Sequence, residues 1–168
     1  LMLKETMPSA FAGVAPWAML ATSNDPSIIE GADGVAYAIP NISVGYQKAE
    51  EPVPTGFWRS VGHSSNAFVV ESFVDELAAR AKRDPVELRR ELLIEHPRHL
   101  GVLEAAADAA SWGSGLPEGR AHGVAGDERL HSYVAVVAVG AVVDDAIRVL
   151  KLSAAVDCGT AIHPDGVR

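Results

Sequence analysis

The stretch Thr55-Gly56-Phe57-Trp58-Arg59-Ser60-Val61-Gly62-His63 concentrates residue types that hold ligands. Its glycines permit positive φ and close approach of the backbone to a bound group. Arg59 can donate two parallel hydrogen bonds to a phosphate or oxo group, and Phe57 and Trp58 can wall a pocket. Backbone N–H groups at the start of a following helix would add donors for an anion. The competing reading is a turn whose aromatics fill a core, with Arg59 solvated or paired to a carboxylate. Residue types alone leave both open.

Other groups offer less. Glu71 and Asp75 lie one helical turn apart, with Glu76 beside them. Such carboxylates can share a proton or hold a metal, but the expectation is a solvated helix face neutralised by Arg80. The histidines include no His-x-x-x-His; His96 and His99 flank Pro97, and His122 and His131 meet only if the chain turns back. No metal site is therefore expected. Cys158 sits between Asp157 and Gly159, where the neighbouring carboxylate disfavours the thiolate, so a buried structural thiol is expected. No P-loop, dinucleotide fingerprint or Gly-x-Ser-x-Gly elbow occurs, and no residue of the chain is assigned a catalytic role.

The elements that must position these residues follow from periodicity. Most of the ten prolines lie between Pro8 and Pro54, so residues 1–62 read as an irregular Pro-rich segment carrying the ligand-side loop. Within it, Ile42, Val44 and Tyr46 alternate as in a short strand. From Ser64 the apolar spacing becomes helical. Ser65 or Asn66 is the expected cap, and Val70, Phe73, Val74, Leu77, Ala78 and Ala81 form the stripe. Asp84-Pro85 starts a second helix as N-cap and first helical residue, with Val86, Leu88, Leu92 and Leu93 on its buried side. Pro97 opens a third, ending at Gly113 to Gly115. Residues 132–143 and 147–156 then read as an antiparallel hairpin turned at Asp144-Asp145, with Leu150, Leu152, Ala154 and Val156 on one face. A lone hairpin is marginal, so it must pack on the helices or on further strands. The expected fold is α+β: the irregular segment 1–62, then three short helices and a β-hairpin over 63–168.

Composition narrows the function classes. The 168 residues are 48% hydrophobic and 21% charged, a globular mixture able to bury a core. A net charge of −8 with no basic cluster argues against nucleic acid or anionic lipid as partner. One cysteine excludes an intrachain disulfide and a cysteine-held cluster. The longest apolar run, residues 133–143, is far short of the roughly 20 residues of a transmembrane helix. The chain opens on Leu1 rather than methionine, and the expectation is a piece of something longer.

Several motifs together resemble one family. The run from Val53 to His63, followed by Phe68-Val69-Val70-Glu71-Ser72-Phe73-Val74-Asp75-Glu76-Leu77-Ala78, is similar to the molybdenum-binding subunit of the xanthine oxidase superfamily. It looks most like the isoquinoline 1-oxidoreductase beta subunit, also described as a molybdopterin-binding aldehyde dehydrogenase subunit. Tyr37-Ala38-Ile39-Pro40-Asn41, Asp84-Pro85-Val86-Glu87-Leu88-Arg89-Arg90, Leu116-Pro117-Glu118-Gly119-Arg120 and Ala154-Ala155-Val156-Asp157-Cys158-Gly159 follow in the family's order. Where relatives carry a glutamate after Tyr133 this chain has Val139-Gly140, and where they have Asn-Pro it has His163-Pro164.

The resemblance implies a fragment of a molybdenum hydroxylase large subunit. Such an enzyme oxidises an aldehyde or an N-heteroaromatic carbon with oxygen from water. It implies a molybdopterin cofactor in its cytosine dinucleotide form, a [2Fe–2S] small subunit as electron partner, and the remainder of the large subunit around this chain. It places Phe57, Trp58, Arg59, Ser60 and Val61 against the cofactor, with Arg59 hydrogen-bonding near the oxo ligands or substrate. The family's glycine-rich motif and glutamate base have no counterpart here, so the isolated chain is expected to be inactive and to hold no cofactor. For the compartment, the resemblance suggests the periplasm and the residues add nothing. The rival expectation is a non-catalytic module that binds a protein partner through its Pro-rich loop, with Trp17 and Trp58 as anchors.

Overall fold

The computed structural model describes residues 26–47, 52 and 59–167. Over these the expected α+β class holds. A 3-10 turn at Pro26–Ile28 leads into turns and an extended segment. Helices α1 (His63–Ala81), α2 (Pro85–Leu92) and α3 (Pro97–Ala110) follow, then strands β1 (Arg120–Arg129), β2 (Ser132–Val143) and β3 (Ala146–Asp157), and a one-turn helix α4 (Pro164–Val167).

Local chemistry accounts for the boundaries. Asp84 caps α2 as expected, accepting from the N–H groups of Val86 and Glu87 at 2.8 and 3.0 Å, with Pro85 in the first turn. Trp112 Nε1 donates to the other oxygen of Asp84, which fastens the end of α3 to the start of α2. Both α1 and α3 end in a left-handed residue, Lys82 and Ser111, whose successor donates back to the carbonyl five residues earlier. The glycines at 113–115 lie just beyond that stop.

The sheet is antiparallel in the order β1-β2-β3. The expected hairpin of β2 and β3 is present, with Val143 opposite Ala146, and Asp144 and Asp145 both at positive φ, as a tight two-residue turn requires. A third strand, β1, was not expected. Its sequence RAHGVAGDER offers one fully buried apolar side chain, Val124, and its turn to β2 is Leu130-His131, a left-handed pair with no turn signature. The short strand expected at residues 42–46 is not formed; that segment is irregular, with Ile42 and Val44 exposed and Tyr46 half-buried. Helix α1 runs 19 residues, longer than expected.

The core lies where α3 crosses β2 and where α1 and α2 meet it. Val102, Leu103, Ala106, Ala107 and Ala110 of α3 press on Ala135 and Val137 of β2 and Val124 of β1. Small residues on the helix let it approach the sheet closely. Of the stripe expected on α1, Val74 and Ala78 are buried while Phe73 and Leu77 are exposed. Of the residues of β3 expected on one face, Leu152, Ala154 and Val156 are together while Leu150 is the extra residue of a bulge, and all four are exposed. Cys158 is also exposed, lying just past the end of β3; the expected buried thiol is corrected.

Arg98 of α3 holds the far end of β3. Its Nε and Nη2 each donate to Asp157 at 2.7 Å, and its guanidinium lies 4.2 Å over the Tyr133 ring. These bonds, with one from the Gly159 N–H, hold the Asp157 carboxyl at about 2, below the ordinary carboxylate range. The folded value is the lower one. The stabilisation is therefore complete above the unfolded value of about 4 and is lost as pH falls through the folded value. An NMR titration of Asp157 should show its midpoint at about 2, and Arg98→Ala should raise it toward the unperturbed value of about 4, the Gly159 N–H bond holding it somewhat below; the same midpoint in both proteins would refute the pairing.

Candidate functional site

The turn 59–62 is set by close backbone packing. A Cβ on Gly62 would lie 2.5 Å from the Ser27 carbonyl oxygen and 2.7 Å from that of Glu30, so only glycine lets the turn press on residues 26–30. From the other side Gly31, at φ +83°, faces the Cα of His63 at 3.1 Å from the position of an added Cβ. Asn66 closes the seam, its Nδ2 donating to the carbonyls of Ile28 and Glu30 at 2.7 and 2.9 Å. It is thus a tie to the preceding segment and not the helix cap. The N-cap is Gly62, which makes no side-chain cap bond.

Of the residues expected at the cofactor, Phe57 and Trp58 lie outside the described residues, as does Trp17. Arg59 is exposed, and among the described residues no acid pairs with it. Its carbonyl accepts from the Ser64 hydroxyl at 3.0 Å. Ser60 and Val61 have φ of 75° and 50°, and the second is a β-branched residue in a region such side chains avoid. The expectation that the first N–H groups of α1 are open to an anion is corrected. Those of His63, Ser64, Ser65 and Asn66 donate to the carbonyls of Ser60, Val61 and Gly62, because the turn continues straight into the helix.

Behind the turn lies a cavity of about 320 Å³ between residues 30–37, α1, α3 and the β1–β2 turn. Its apolar wall includes Val35, Val70, Val102 and Val134. Its rim carries two pairs that join separate elements: His63 Nδ1 with Asp127 at 2.9 Å, and Arg129 with Glu30 at 3.4 Å. His99, edge-on to Tyr133, is another wall residue, and burial and neighbouring His96 lower its pKa, favouring the neutral ring.

At the cavity floor the structure overturns the reading of Glu71 and Asp75 as a solvated face. Glu71 is buried and accepts from the Tyr37 hydroxyl at 2.7 Å, the Gly126 N–H at 2.8 Å and Arg89 Nε at 3.1 Å. Arg89, 1% exposed, also donates to the Glu71 carbonyl, the Pro85 carbonyl and Asp75. The cation beside Asp75 is therefore Arg89 and not Arg80; Glu76 alone of the trio is exposed. Burial drives the Glu71 carboxyl up, against the pull of Arg89, and the same burial with the nearby carboxylate keeps the Tyr37 phenol protonated as a donor. A sequence signal for this was present. Glu71 shares a helical stripe with Val74 and Ala78, and Arg89 with Val86 and Leu93, so each is a charge at an apolar position.

The other candidates do not form a site. His122 stacks on Trp112 at 5.0 Å, while His131 is exposed in the turn between β1 and β2. Among the described residues no three histidines, cysteines or acids are grouped so as to hold a metal ion.

Comparison with known proteins fits the turn and helices into a larger frame. Residues 18–93, from before the turn to the end of α2, match the molybdopterin cofactor-binding domain. The family resemblance read from the motifs is borne out over that part of the chain. The chain is 33% identical over 142 residues to a membrane-bound aldehyde dehydrogenase of Gluconacetobacter polyoxogenes whose name specifies pyrroloquinoline quinone, covering 71% of this chain and 18% of that protein. It is 28% identical over 139 residues to the beta subunit of isoquinoline 1-oxidoreductase from Brevundimonas diminuta, covering 80% of this chain and 18% of the relative. The B subunit of nicotinate dehydrogenase from Pseudomonas putida is 32% identical over 138 residues, covering 70% and 12%. The chain therefore spans less than a fifth of the length of each of these relatives, all oxidoreductases by name and two of them named as subunits. No solved structure matches. No helix among the described residues is long and apolar enough to cross a membrane.

The floor network carries a stability prediction. Arg89→Met leaves Glu71 buried without its cation and should cost about 3–5 kcal/mol. Tyr37→Phe removes one donor and should cost about 1 kcal/mol. Urea unfolding of both variants checks the order; equal small losses would show that Glu71 is not ion-paired in solution.

Proposed function

We propose that this chain is part of the large subunit of a molybdenum hydroxylase that oxidises aldehydes or N-heteroaromatic carbons. The observation that carries the reading is the match of residues 18–93 to a molybdopterin cofactor-binding domain, a stretch that contains the glycine-docked turn and its exposed arginine.

The residues fit the cofactor at the turn and not in the cavity. A pterin dinucleotide carries phosphates, and the cavity is lined by Glu30, Asp33, Glu71, Asp127 and Glu128 against Arg89 and Arg129, both arginines already paired. Like charge and the lack of a spare cation disfavour an anion there. Arg59 is exposed at the turn, and the first turn of α1 holds no acid. Arg59, with Ser60 and Val61 beside it and Phe57 and Trp58 preceding, is the group we assign to the cofactor side. It would bind an oxo or phosphate oxygen through its planar fork.

When bound, the molybdenum–pterin group supplies the redox chemistry, in which a substrate C–H and water yield C–OH, two protons and two electrons. The chain's own contribution is orientation and charge. A fixed guanidinium strengthens binding of anionic oxygens and steers the substrate, but at neutral pH it cannot accept the substrate proton. The electrons would pass to a [2Fe–2S] small subunit, and the cofactor would be the cytosine dinucleotide form.

Purification of the intact subunit with its partner, followed by metal analysis and identification of the released organic cofactor, tests the reading. Molybdenum and a pterin are expected; pyrroloquinoline quinone, or a stable complex with a protein partner and no molybdenum, would overturn it. In the loaded enzyme Arg59→Ala should lower kcat/KM by on the order of 100-fold, and Arg59→Lys should restore only part of that.

A further inference from the structure

We infer that β3 is an interior strand in the assembled protein, with a further β-strand of the large subunit docked along its free edge. This rests on the reading of the chain as part of that subunit. Among the described residues β3 pairs only with β2, leaving the opposite edge of a 12-residue strand unpaired. Edge strands in stable proteins are short, bulged away, interrupted by proline, or charged on their open face. Here β3 carries one bulge, with Leu150 as the extra residue opposite Val139 and Gly140, but its pairing to β2 resumes at once and runs on to Ala146, and β3 contains no proline.

The two faces of β3 differ. Helix α3 packs on β2 and β3 from one side only. On that side stand Lys151 and Arg148, opposite Val139 and Ala141, and Lys151 Nζ donates to the Ala109 carbonyl at the end of α3. The opposite face is uncharged along β3: Ile147, Val149, Leu152 and Val156 are 81%, 62%, 63% and 53% exposed. Behind them Val136 and Ala138 of β2 continue the same apolar face. A central strand apolar on both sides is the pattern of a sheet covered on both sides.

The charge pattern selects the occupant. A second copy of this chain laid antiparallel on β3 would bring Arg148 and Lys151 of both copies onto one face, where like charges repel. A different strand, apolar on one face and neutral or acidic on the other, meets no such conflict. The relatives contain several times more polypeptide than this chain spans, from which such a strand can come.

Amide hydrogen exchange read over residues 146–157 tests this, comparing the 168-residue chain with the intact subunit that contains it. The segment should exchange on the order of 100-fold more slowly in the intact subunit. Leu152→Lys should leave the unfolding midpoint of the chain unchanged while lowering the soluble yield of the intact subunit about tenfold, since it places a charge on a covered face. Equal exchange in both proteins would overturn the inference. So would a dimer of the chain alone that protects the segment and is dissolved by Leu152→Lys. An intact subunit that protects β3 yet holds no molybdenum would refute the proposed function and leave this surface standing.

Discussion

The buried pair of Glu71 and Arg89 is the constraint on which the arrangement rests. A charge removed from water is tolerated only when paired and hydrogen-bonded on every side. Glu71 meets that requirement with groups from three places, Tyr37, Arg89 and the backbone of β1, and Arg89 adds carbonyls from α1 and α2. The requirement therefore fixes α1 against α2 and against the sheet, and anchors the segment around Tyr37. Apolar packing alone would let these elements slide, because the stripe on α1 is narrow and much of that helix is exposed.

From that anchor the turn at residues 59–62 inherits its position. Helix α1 carries Glu71 in its first half and the turn at its start. The glycines at 31 and 62 lock the turn to the preceding segment, leaving Arg59 outside. Charge is thus divided between two neighbouring regions. The acids that line the cavity are largely satisfied by internal partners, whereas the cation on the turn faces outward with no acid against it among the described residues. That division is what supports the proposed assignment of an anionic group to the turn.

Much of this was legible in the residues, and the failures have physical reasons. The helices announced themselves through Asp84-Pro85, Pro97 and the apolar spacing, and β2 with β3 through continuous apolar runs around two aspartates. Strand β1 was hidden because its side chains contribute little to the core; it is specified by backbone pairing to β2. Residues 42–46 alternate like a strand but form no strand, because alternation alone does not supply a ladder. Glu71 and Asp75 read as a solvated face because i,i+4 acids on a helix ordinarily are one, and only the shared stripe with Val74 and Ala78 distinguishes Glu71. The turn stands out by its residue types, but that the N–H groups after it are engaged follows only from its backbone path.

Val61 sits in a left-handed conformation that β-branched residues resist, at a cost of order 1–3 kcal/mol. A thermostability screen would be drawn to this position, since glycine or asparagine would relax the backbone at once. The same exchange would loosen the stretch of chain that carries Arg59. If Arg59 serves the proposed site, hardening the protein and holding that side chain in place pull in opposite directions at one residue, the usual trade-off between robustness and activity.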